Sequence, residues 1–306
     1  MGKLVKIAIT GNQGFVGTNL IKYLNHKLEF IPARVENNYC QEEDVMVFIH
    51  LAGKAHDLKN VSSPDEYYQV NTQLSQKVFD AFLDSNAKVF ITISSVKAIA
   101  DQVDGSLNEN SVANPVTHYG KSKLLAEKYI LSKMVPLGKR VYILRPCMIH
   151  GPGNKGNLNL LYNLVSKGFP WPLGEFENKR SFCSIENLCF IIKELIERDD
   201  IPSGVYNIAD DIPLSTNEVI RLIAESKGKE ASIFYLNKSF IYLLARLGDL
   251  MKLPHNTERL KKLTESYMVS NDKIKDALGK PLPISSKEGL MRTFESFSKK
   301  QTGSIS

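Results

Sequence analysis

Short, continuously apolar segments alternate with segments of helical period through the first half of the chain, and this alternation limits the folds open to it. A strand that is apolar throughout must be covered on both faces, as in parallel strands joined by crossover helices. The strand-like segments are 4–10, 28–33, 44–51, 88–94 and 140–144, and the helical segments are 15–25, 67–85 and 119–133. The sequence therefore predicts an α/β fold with a doubly wound parallel sheet.

A glycine-rich turn joins the first strand-like segment to the first helix. Gly11 permits a tight turn, Gly14 lets the backbone approach a diphosphate, and Gly17 allows the helix to pack closely on the strand. The positive end of the following helix, which begins near Phe15 and Val16, faces the same place. In a strand–turn–helix context this spacing predicts a dinucleotide site, so we expect a Rossmann-type cofactor domain.

The amino-acid composition of the chain changes after Gly151-Pro152-Gly153. The residues that follow are rich in Asn, Gly and Pro around a helical core. We therefore predict a cofactor domain at 1–152 and a smaller, mixed C-terminal domain at 153–306 that mainly holds the substrate. Residues 186–198 are expected to form a helix that returns to the first domain.

Composition argues against several classes of protein. The four cysteines among 306 residues are far apart, so neither a metal site nor a disulfide framework is expected. The formal net charge is +6, but the Lys and Arg residues are scattered, which disfavours a nucleic-acid partner. No apolar run approaches the roughly 20 residues that span a bilayer, so membrane insertion is not expected. The N-terminus lacks the apolar stretch of a signal peptide, which predicts a cytoplasmic location.

The segment Phe240–Met251, FIYLLARLGDLM, is amphipathic. Packing against the core is the usual reason for such a pattern, and we favour that interpretation. Binding to a membrane surface is the alternative, and it is disfavoured because the segment itself carries few basic residues.

Tyr119 and Lys123 are one helical turn apart and share one face of a predicted helix. An ammonium beside a phenol favours the phenolate, so Lys123 is expected to lower the pKa of Tyr119. The tyrosine can then exchange a proton with a sugar hydroxyl or carbonyl. Ser95 directly follows a predicted strand and is expected to hydrogen-bond the same oxygen. Alone, this spacing fits a solvent-exposed helix face; together with the glycine turn it predicts catalysis.

These motifs resemble the extended short-chain dehydrogenase/reductase family, also called the NAD-dependent epimerase/dehydratase family. The resemblance covers most of the chain, and it rests on the turn at 11–17, His50-Leu51-Ala52-Gly53, Asn71, Ser94-Ser95, Tyr119 with Lys123, Arg145-Pro146, His150-Gly151-Pro152 and Arg180-Ser181-Phe182. His150 stands where the family usually has tyrosine. The resemblance implies catalysis by Ser95, Tyr119 and Lys123. It implies cofactor contacts from Gly11, Gly14, Phe15, Val16, Gly17, Arg34, Leu51, Ala52, Gly53, Asn71, Tyr119, Lys123 and Pro146.

The expected cofactor is NADP(H) or NAD(H). Arg34 follows the second predicted strand, where an acidic residue would favour a free ribose 2′-hydroxyl and an arginine accommodates a 2′-phosphate. NADP(H) is therefore slightly favoured. An ordinary surface arginine is the equally weighted alternative for Arg34.

The residues after Ser95 separate the reactions of the family. Sugar-nucleotide 4,6-dehydratases carry an Asp-Glu pair there, and Val96 and Lys97 cannot replace the acid, so 4,6-dehydration is disfavoured. Residues 94–97, 151–157 and 161–174 resemble bacterial UDP-4-keto-6-deoxy-N-acetylhexosamine 4-reductases, the UDP-N-acetylquinovosamine dehydrogenase type. The favoured function is therefore NAD(P)H-dependent reduction of a C4 ketone in surface-polysaccharide sugar synthesis. The alternatives are a UDP-hexose or UDP-N-acetylhexosamine 4-epimerase with bound NAD, and a non-catalytic dinucleotide-binding regulator.

A UDP-sugar is the expected partner. By position in the resemblance, Asn157 and Arg180 are candidates for contacts to the uridine diphosphate, and His56, Ser95 and Lys97 for the substrate side. The alternatives are a helix cap for Asn157, a surface ion pair for Arg180 and a structural role for His56. The resemblance also implies a homodimer formed through the helices at 67–85 and 119–133.

Overall fold

A computed structural model describes residues 5–24, 28–32, 45–55, 63–154, 156–251 and 256–302. Up to His150 its elements are β1 (Val5–Thr10), α1 (Phe15–Leu24), β2 (Leu28–Pro32), β3 (Val45–His50), α2 (Pro64–Tyr67), α3 (Leu74–Asp84), β4 (Val89–Ile93), β5 (Ser106–Leu107), α4 (His118–Ser132), β6 (Arg140–Pro146) and β7 (Met148–His150). After them come α5 (Asn157–Ser166), β8 (Phe182–Ser184), α6 (Ile185–Glu197), β9 (Gly204–Ile208), α7 (Thr216–Glu225), α8 (Lys238–Leu250), α9 (Thr257–Thr264), β10 (Met268–Val269), α10 (Asp272–Leu278) and α11 (Ser286–Thr302).

One parallel sheet organises the first half of the chain. Its strands lie in the order β2-β1-β3-β4-β6-β9, and each neighbouring pair is parallel. The register sets Ile7 opposite Val47, and Val47 opposite Val89. This arrangement confirms the predicted α/β fold with a parallel central sheet.

Helices cover both faces of this sheet because successive strand residues point to opposite sides. Ile9 packs on one side in a cluster that includes Leu20 of α1 and Ile192 of α6. Phe48 packs on the other side, in a cluster that includes Phe79 of α3. Burial on both sides explains why most positions of the strand segments are apolar.

Two elements that follow residue 152 belong to this sheet layer. The helix α6 packs against α1, and it corresponds to the helix expected at 186–198. The strand β9 extends the sheet beside β6, and the Cys147 amide donates to the Ile208 carbonyl. The sequence analysis did not identify β9, because Gly204 and the buried polar Asn207 interrupt its apolar pattern. The predicted division near residue 152 therefore stays a proposal about which part of the chain binds the cofactor and which part binds the substrate.

The remaining elements form a mixed helical layer around two further apolar clusters. Tyr162 of α5 and Phe294 of α11 lie in the first, and Trp171, Ile241 and Leu260 lie in the second. Two short parallel pairs, β5 with β10 and β7 with β8, connect this layer to the sheet half.

The helix predicted at 67–85 contains an irregularity. A π-type turn at Tyr68–Gln73 separates α2 from α3, and it holds Asn71 and Thr72 in buried positions. Single π turns within helices occur often at functional sites. The other helices predicted in the first half lie within one or two residues of the observed bounds.

We expect the burial of α6 to be a main source of stability. Leu195→Ala removes a fully buried side chain between α6 and the sheet, so it should lower the free energy of unfolding by about 2–5 kcal/mol. The matched control Leu160→Ala removes a largely exposed leucine of α5 and should change it by less than about 0.5 kcal/mol. Urea unfolding measures both, and equal effects would contradict the position of α6.

Candidate active site

The glycine turn between β1 and α1 is closed tightly against the end of β3. Gly11 has a φ of +71°, and a side chain there would place its Cβ 2.6 Å from the Ala52 nitrogen. The Gly14 amide donates to the Gly11 carbonyl over 3.0 Å, which directs the chain into α1. Only glycine fits Gly11, because both the left-handed backbone and the nearby strand exclude a side chain.

A buried hydrogen-bond network fixes the loop after β3. The Thr10 hydroxyl oxygen lies 2.7 Å from Nδ1 of His50 and also accepts the Ala52 amide. Nε2 of His50 lies 2.9 Å from the Ser75 hydroxyl, which in turn donates to the Asn71 carbonyl. Burial, aided by the charge of Lys123, lowers the pKa of His50 to about 3, so this ring is a neutral connector at physiological pH.

Asn71 connects the π turn to this loop and to α4. Its side chain accepts the Lys54 amide over 2.8 Å, and donates to the Lys54 carbonyl and the Ser122 hydroxyl. Asn71 is fully buried, so these bonds hold residues 51–54 beside α4. The role that the structure gives to Asn71 is to position this loop.

Ser95, Tyr119 and Lys123 meet where β4 ends and α4 begins. The Ser95 side chain caps the short 3₁₀ turn at 96–98 and hydrogen-bonds the Tyr119 phenol. Gly120 allows α4 to approach closely, since a Cβ there would lie 2.3 Å from the Lys97 carbonyl oxygen. The Lys123 amine donates to the Ile93 carbonyl over 3.0 Å and lies against Gly53. The three side chains are therefore brought together.

Asp101 fixes the start of α4. Its carboxylate accepts the amides of Val116 and Thr117, and the Thr117 hydroxyl donates to it. The Thr117 side chain in turn accepts the Gly120 amide as the N-cap. This double capping sets the position of Tyr119, which is the second residue of the helix.

The electrostatics of the tyrosine differ from the expectation. The sequence analysis expected Lys123 to lower the pKa of Tyr119, but burial dominates and raises it, while the Ser95 hydrogen bond acts in the opposite sense. Burial lowers the pKa of Lys123 to about 8, and the Glu127 carboxylate partly opposes that shift. The site therefore holds a protonated phenol beside an amine that titrates near neutral pH.

A buried ion pair lies behind these residues. Glu127, one helical turn after Lys123, accepts bonds from the Arg145 guanidinium at 2.6 to 3.1 Å. The Ser94 hydroxyl also donates to the Glu127 carboxylate. The pair joins α4 to β6 and to the end of β4, close to Ser95 and Lys123 in the chain.

A cavity of about 350 Å³ opens beside Lys97 and Thr117, the N-cap of α4. Its lining includes Lys97, Arg180 and, from α9, Lys261 and Lys262, together with Asp101, Glu258 and Glu265. The Lys97 amine donates to the Asp101 carbonyl and stands 4.2 Å from the centre of the Tyr267 ring. Burial lowers the pKa values of both Lys97 and Arg180, and nearby carboxylates, Asp101 for Lys97 and Glu265 for Arg180, partly oppose these shifts. The cavity is suited to an anionic group such as a diphosphate.

Not every expected residue falls in this region. Arg34 and His56 lie outside the described residues. Asn157 is the first residue of α5. Leu51, Ala52 and Gly53 follow β3 directly, Phe15 and Val16 begin α1, and Pro146 ends β6, so these all lie at the carboxyl edge of the sheet. Ligands of such sheets bind at that edge.

The residues at this edge fit a dinucleotide. The turn at Gly11 exposes backbone at the N-terminus of α1, where a diphosphate binds favourably. Gly53 has no side chain, and the Lys123 amine and the Asn71 side-chain oxygen occupy the space where its Cβ would lie, at 2.9 and 3.2 Å. These residues would hold the cofactor; the contacts themselves stay a proposal.

Several contributors were missed by the sequence analysis. It assigned no role to Asp101, Glu127, Tyr267 or the lysines of α9. Glu127 had a detectable signal, because an acidic residue four positions after Lys123 must share its buried face. Tyr267 and α9 had none, since their approach to Lys97 depends on the tertiary fold.

Two kinds of feature are absent from the described part of the chain. No helix there is both long and apolar enough to cross a membrane. No group of three or more His, Cys, Asp or Glu side chains among the described residues is arranged to hold a metal ion.

Comparison with known proteins agrees with this geometry. A UDP-glucose 4-epimerase of Vibrio cholerae is 30% identical over 95% of each chain. An Escherichia coli O157:H7 epimerase of N-acetyl-α-D-glucosaminyl-diphospho-ditrans,octacis-undecaprenol is 27% identical over 88% of this chain and 84% of its own. The structure of MoeE5 with UDP-glucuronic acid and NAD superposes with a TM-score of 0.74 at 21% identity, covering 96% of this chain and 99% of that one. The model of the NAD dependent epimerase/dehydratase family matches residues 7–209. The chain belongs to the NAD dependent epimerase/dehydratase family.

Proposed function

We propose that the chain is a 4-epimerase of a UDP-linked hexose or N-acetylhexosamine that works with bound NAD. The observation that carries the proposal is the hydrogen bond of Ser95 to Tyr119 at the start of α4, with Lys123 one helical turn further along, held by the Ile93 carbonyl. The similarity to the V. cholerae 4-epimerase along nearly the whole chain supports the same reaction.

Each of the three residues has its own role in the reaction at carbon 4 of the sugar. Tyr119 exchanges the proton of the C4 oxygen, and Ser95 hydrogen-bonds that oxygen as its charge changes. Lys123, held by the Ile93 carbonyl, supplies positive charge next to the phenol when it is protonated. When bound, the nicotinamide accepts and returns the hydride. Because the pKa of Tyr119 is raised, the step that needs the phenolate is expected to be the slower one near pH 7.

The 4-reductase stays a second candidate. Its support is the resemblance of residues 94–97, 151–157 and 161–174, whereas the V. cholerae and E. coli relatives are epimerases. The two reactions use the same proton exchange and differ in the fate of the cofactor. A reductase consumes one reduced cofactor for each product, and an epimerase consumes none.

The side chains that line the cavity suggest which group carries the sugar. Lys97 and Arg180 suit a diphosphate, which a UDP-sugar provides. The E. coli relative acts on a sugar diphosphate carried by undecaprenol, so that class is the alternative carrier. The NADP preference, the contacts of Asn157 and the homodimer through the helices predicted at 67–85 and 119–133 also stay proposals.

The deciding assay begins with the cofactor of the purified protein. Acid extraction should release NAD, and UDP-glucose or UDP-N-acetylglucosamine with no added cofactor should give the C4 epimer by NMR. Protein free of nucleotide that oxidises NADH or NADPH with UDP-4-keto-6-deoxy-N-acetylglucosamine would move the assignment to the reductase. Inactivity in both arms with intact cofactor binding would support the regulator.

Replacement of the catalytic phenol should separate chemistry from folding. Tyr119→Phe removes the proton donor and should lower kcat by about 10²- to 10⁴-fold while cofactor binding is kept. The control Tyr129→Phe, on the same helix, removes hydrogen bonds to Asp80 and should cost about 1 kcal/mol of stability with little change in kcat. Unchanged turnover in Tyr119→Phe would overturn the catalytic assignment.

The dependence of rate on pH should show a break near pH 8. Below the break the rate rises with pH as the phenolate fraction of Tyr119 grows, and above it the rate levels off because Lys123 loses its charge as fast as phenolate forms. Glu127→Gln removes the carboxylate that raises the pKa of Lys123, so the break should move to lower pH. Steady-state rates between pH 6 and 10, within about two units of that pKa, measure this. An unmoved break in a variant that still binds cofactor would show that Lys123 is not its source.

A further inference from the structure

The helix α8 is apolar on two faces, and only one of them is buried. Ile241, Ala245 and Gly248 pack into the cluster that contains Trp171 and Phe176. The sequence analysis favoured core packing for the whole apolar pattern of this segment. The structure shows that this interpretation was wrong for most of the large side chains, which lie outside the core.

The second apolar face is exposed to solvent. At about 100° per residue it covers an arc of about 120°, beside the buried face. Its members are Phe240 (52% exposed), Leu243 (55%), Leu244 (46%), Leu247 (46%), Leu250 (81%) and Met251 (66%). No charged residue falls within this arc. The polar residues of α8, among them Lys238 and Arg246, lie on the third side of the helix.

The segment that leads into α8 continues the exposed apolar surface. Phe234, Tyr235 and Leu236 are 53%, 60% and 38% exposed. Backbone bonds hold this segment in place, since the Phe234 amide donates to the Trp171 carbonyl and the Gly174 amide to the Phe234 carbonyl. We call these three residues and the exposed arc of α8 the α8 surface. Apolar patches of this kind mark interaction sites in soluble proteins.

The charges around the α8 surface are mainly positive. Arg246 lies about 40° beyond one edge of the arc. The helix α9, which packs against α8, adds the exposed Arg259, Lys261 and Lys262. The acidic side chains nearby are partly engaged: Asp249 accepts bonds from Thr257, and Glu258 pairs with Lys262. The sequence analysis disfavoured membrane binding because α8 itself carries few basic residues. In the folded chain, further basic residues come from α9.

We propose that the α8 surface docks on the surface of an anionic phospholipid bilayer, with α8 lying in the plane of the interface. An exposed apolar arc flanked by Lys and Arg is the pattern of interfacial helices, in which the apolar side chains enter the acyl boundary and the cations meet lipid phosphates. Such docking needs no membrane-spanning helix. None of the apolar residues of the α8 surface lines the cavity, although Lys261 and Lys262 of α9 do.

The test uses the full-length purified chain and two vesicle preparations, phosphatidylcholine alone and phosphatidylcholine mixed with phosphatidylglycerol. We expect sedimentation with the anionic vesicles, weak binding to the neutral ones, and release at high salt. Leu243→Asn with Leu247→Asn should weaken binding by more than about tenfold, since two leucine side chains leave the acyl region. The matched control Leu160→Asn, an exposed leucine of α5, should bind as the unsubstituted chain does.

Two further measurements distinguish lipid docking from misfolding and from self-association. Thermal unfolding and turnover of soluble substrate should be unchanged in the Leu243→Asn, Leu247→Asn chain, which excludes misfolding as the cause of lost binding. Absence of binding to anionic vesicles, or equal binding to both preparations, would overturn the proposal. So would a self-association in analytical ultracentrifugation that this double substitution abolishes, because the α8 surface would then be covered by a second copy of the chain.

Discussion

The buried pair of Glu127 and Arg145 is the interaction on which the catalytic end of the sheet depends. It joins α4, which carries Tyr119 and Lys123, to β6, and the Ser94 bond adds the end of β4. Removing one partner of such a pair costs about 3–5 kcal/mol because a charge stays buried and unpaired. The same carboxylate acts on Lys123 from one helical turn away. One side chain therefore contributes both to the placement of the site and to its charge.

The cationic cavity depends on contacts between distant parts of the chain. Arg180 is held by backbone bonds to Leu214, while Ser181 and Lys179 bond the backbone of Tyr267. The Tyr267 hydroxyl donates to the Ala100 carbonyl, next to the turn that carries Lys97. These bonds bring the two cations to one cavity, where Lys97 donates to the Asp101 carbonyl and Arg180 to the Lys262 carbonyl. Burial makes both charges costly to maintain.

Much of the fold could be predicted because its signals are local. The strands β1, β3, β4 and β6 are apolar at nearly every position, and the glycine turn has only one common geometry. The strand β9 was missed because its start is a glycine and its partner β6 is more than fifty residues earlier.

In the site, residue types and spacing were sufficient to select Ser95, Tyr119 and Lys123 as neighbours. They could not predict that burial outweighs nearby charge in setting the pKa of Tyr119, because burial is a property of the assembled layers. The exposure of α8 was hidden for the same reason. A helix with two apolar faces looks like a core helix until its neighbours are known.

The placement of β9 and α6 has a consequence for the order in which the protein can fold during synthesis. A ribosome releases the chain from its N-terminus, so β6 emerges with one edge unpaired and stays so until β9 has followed. For that interval the nascent chain presents the bare edge of a parallel sheet, and α1 lacks the apolar cover that α6 later provides. The first 152 residues are therefore an incomplete folding unit, and a chaperone that shields a strand edge would act during the synthesis of residues 153 to 208.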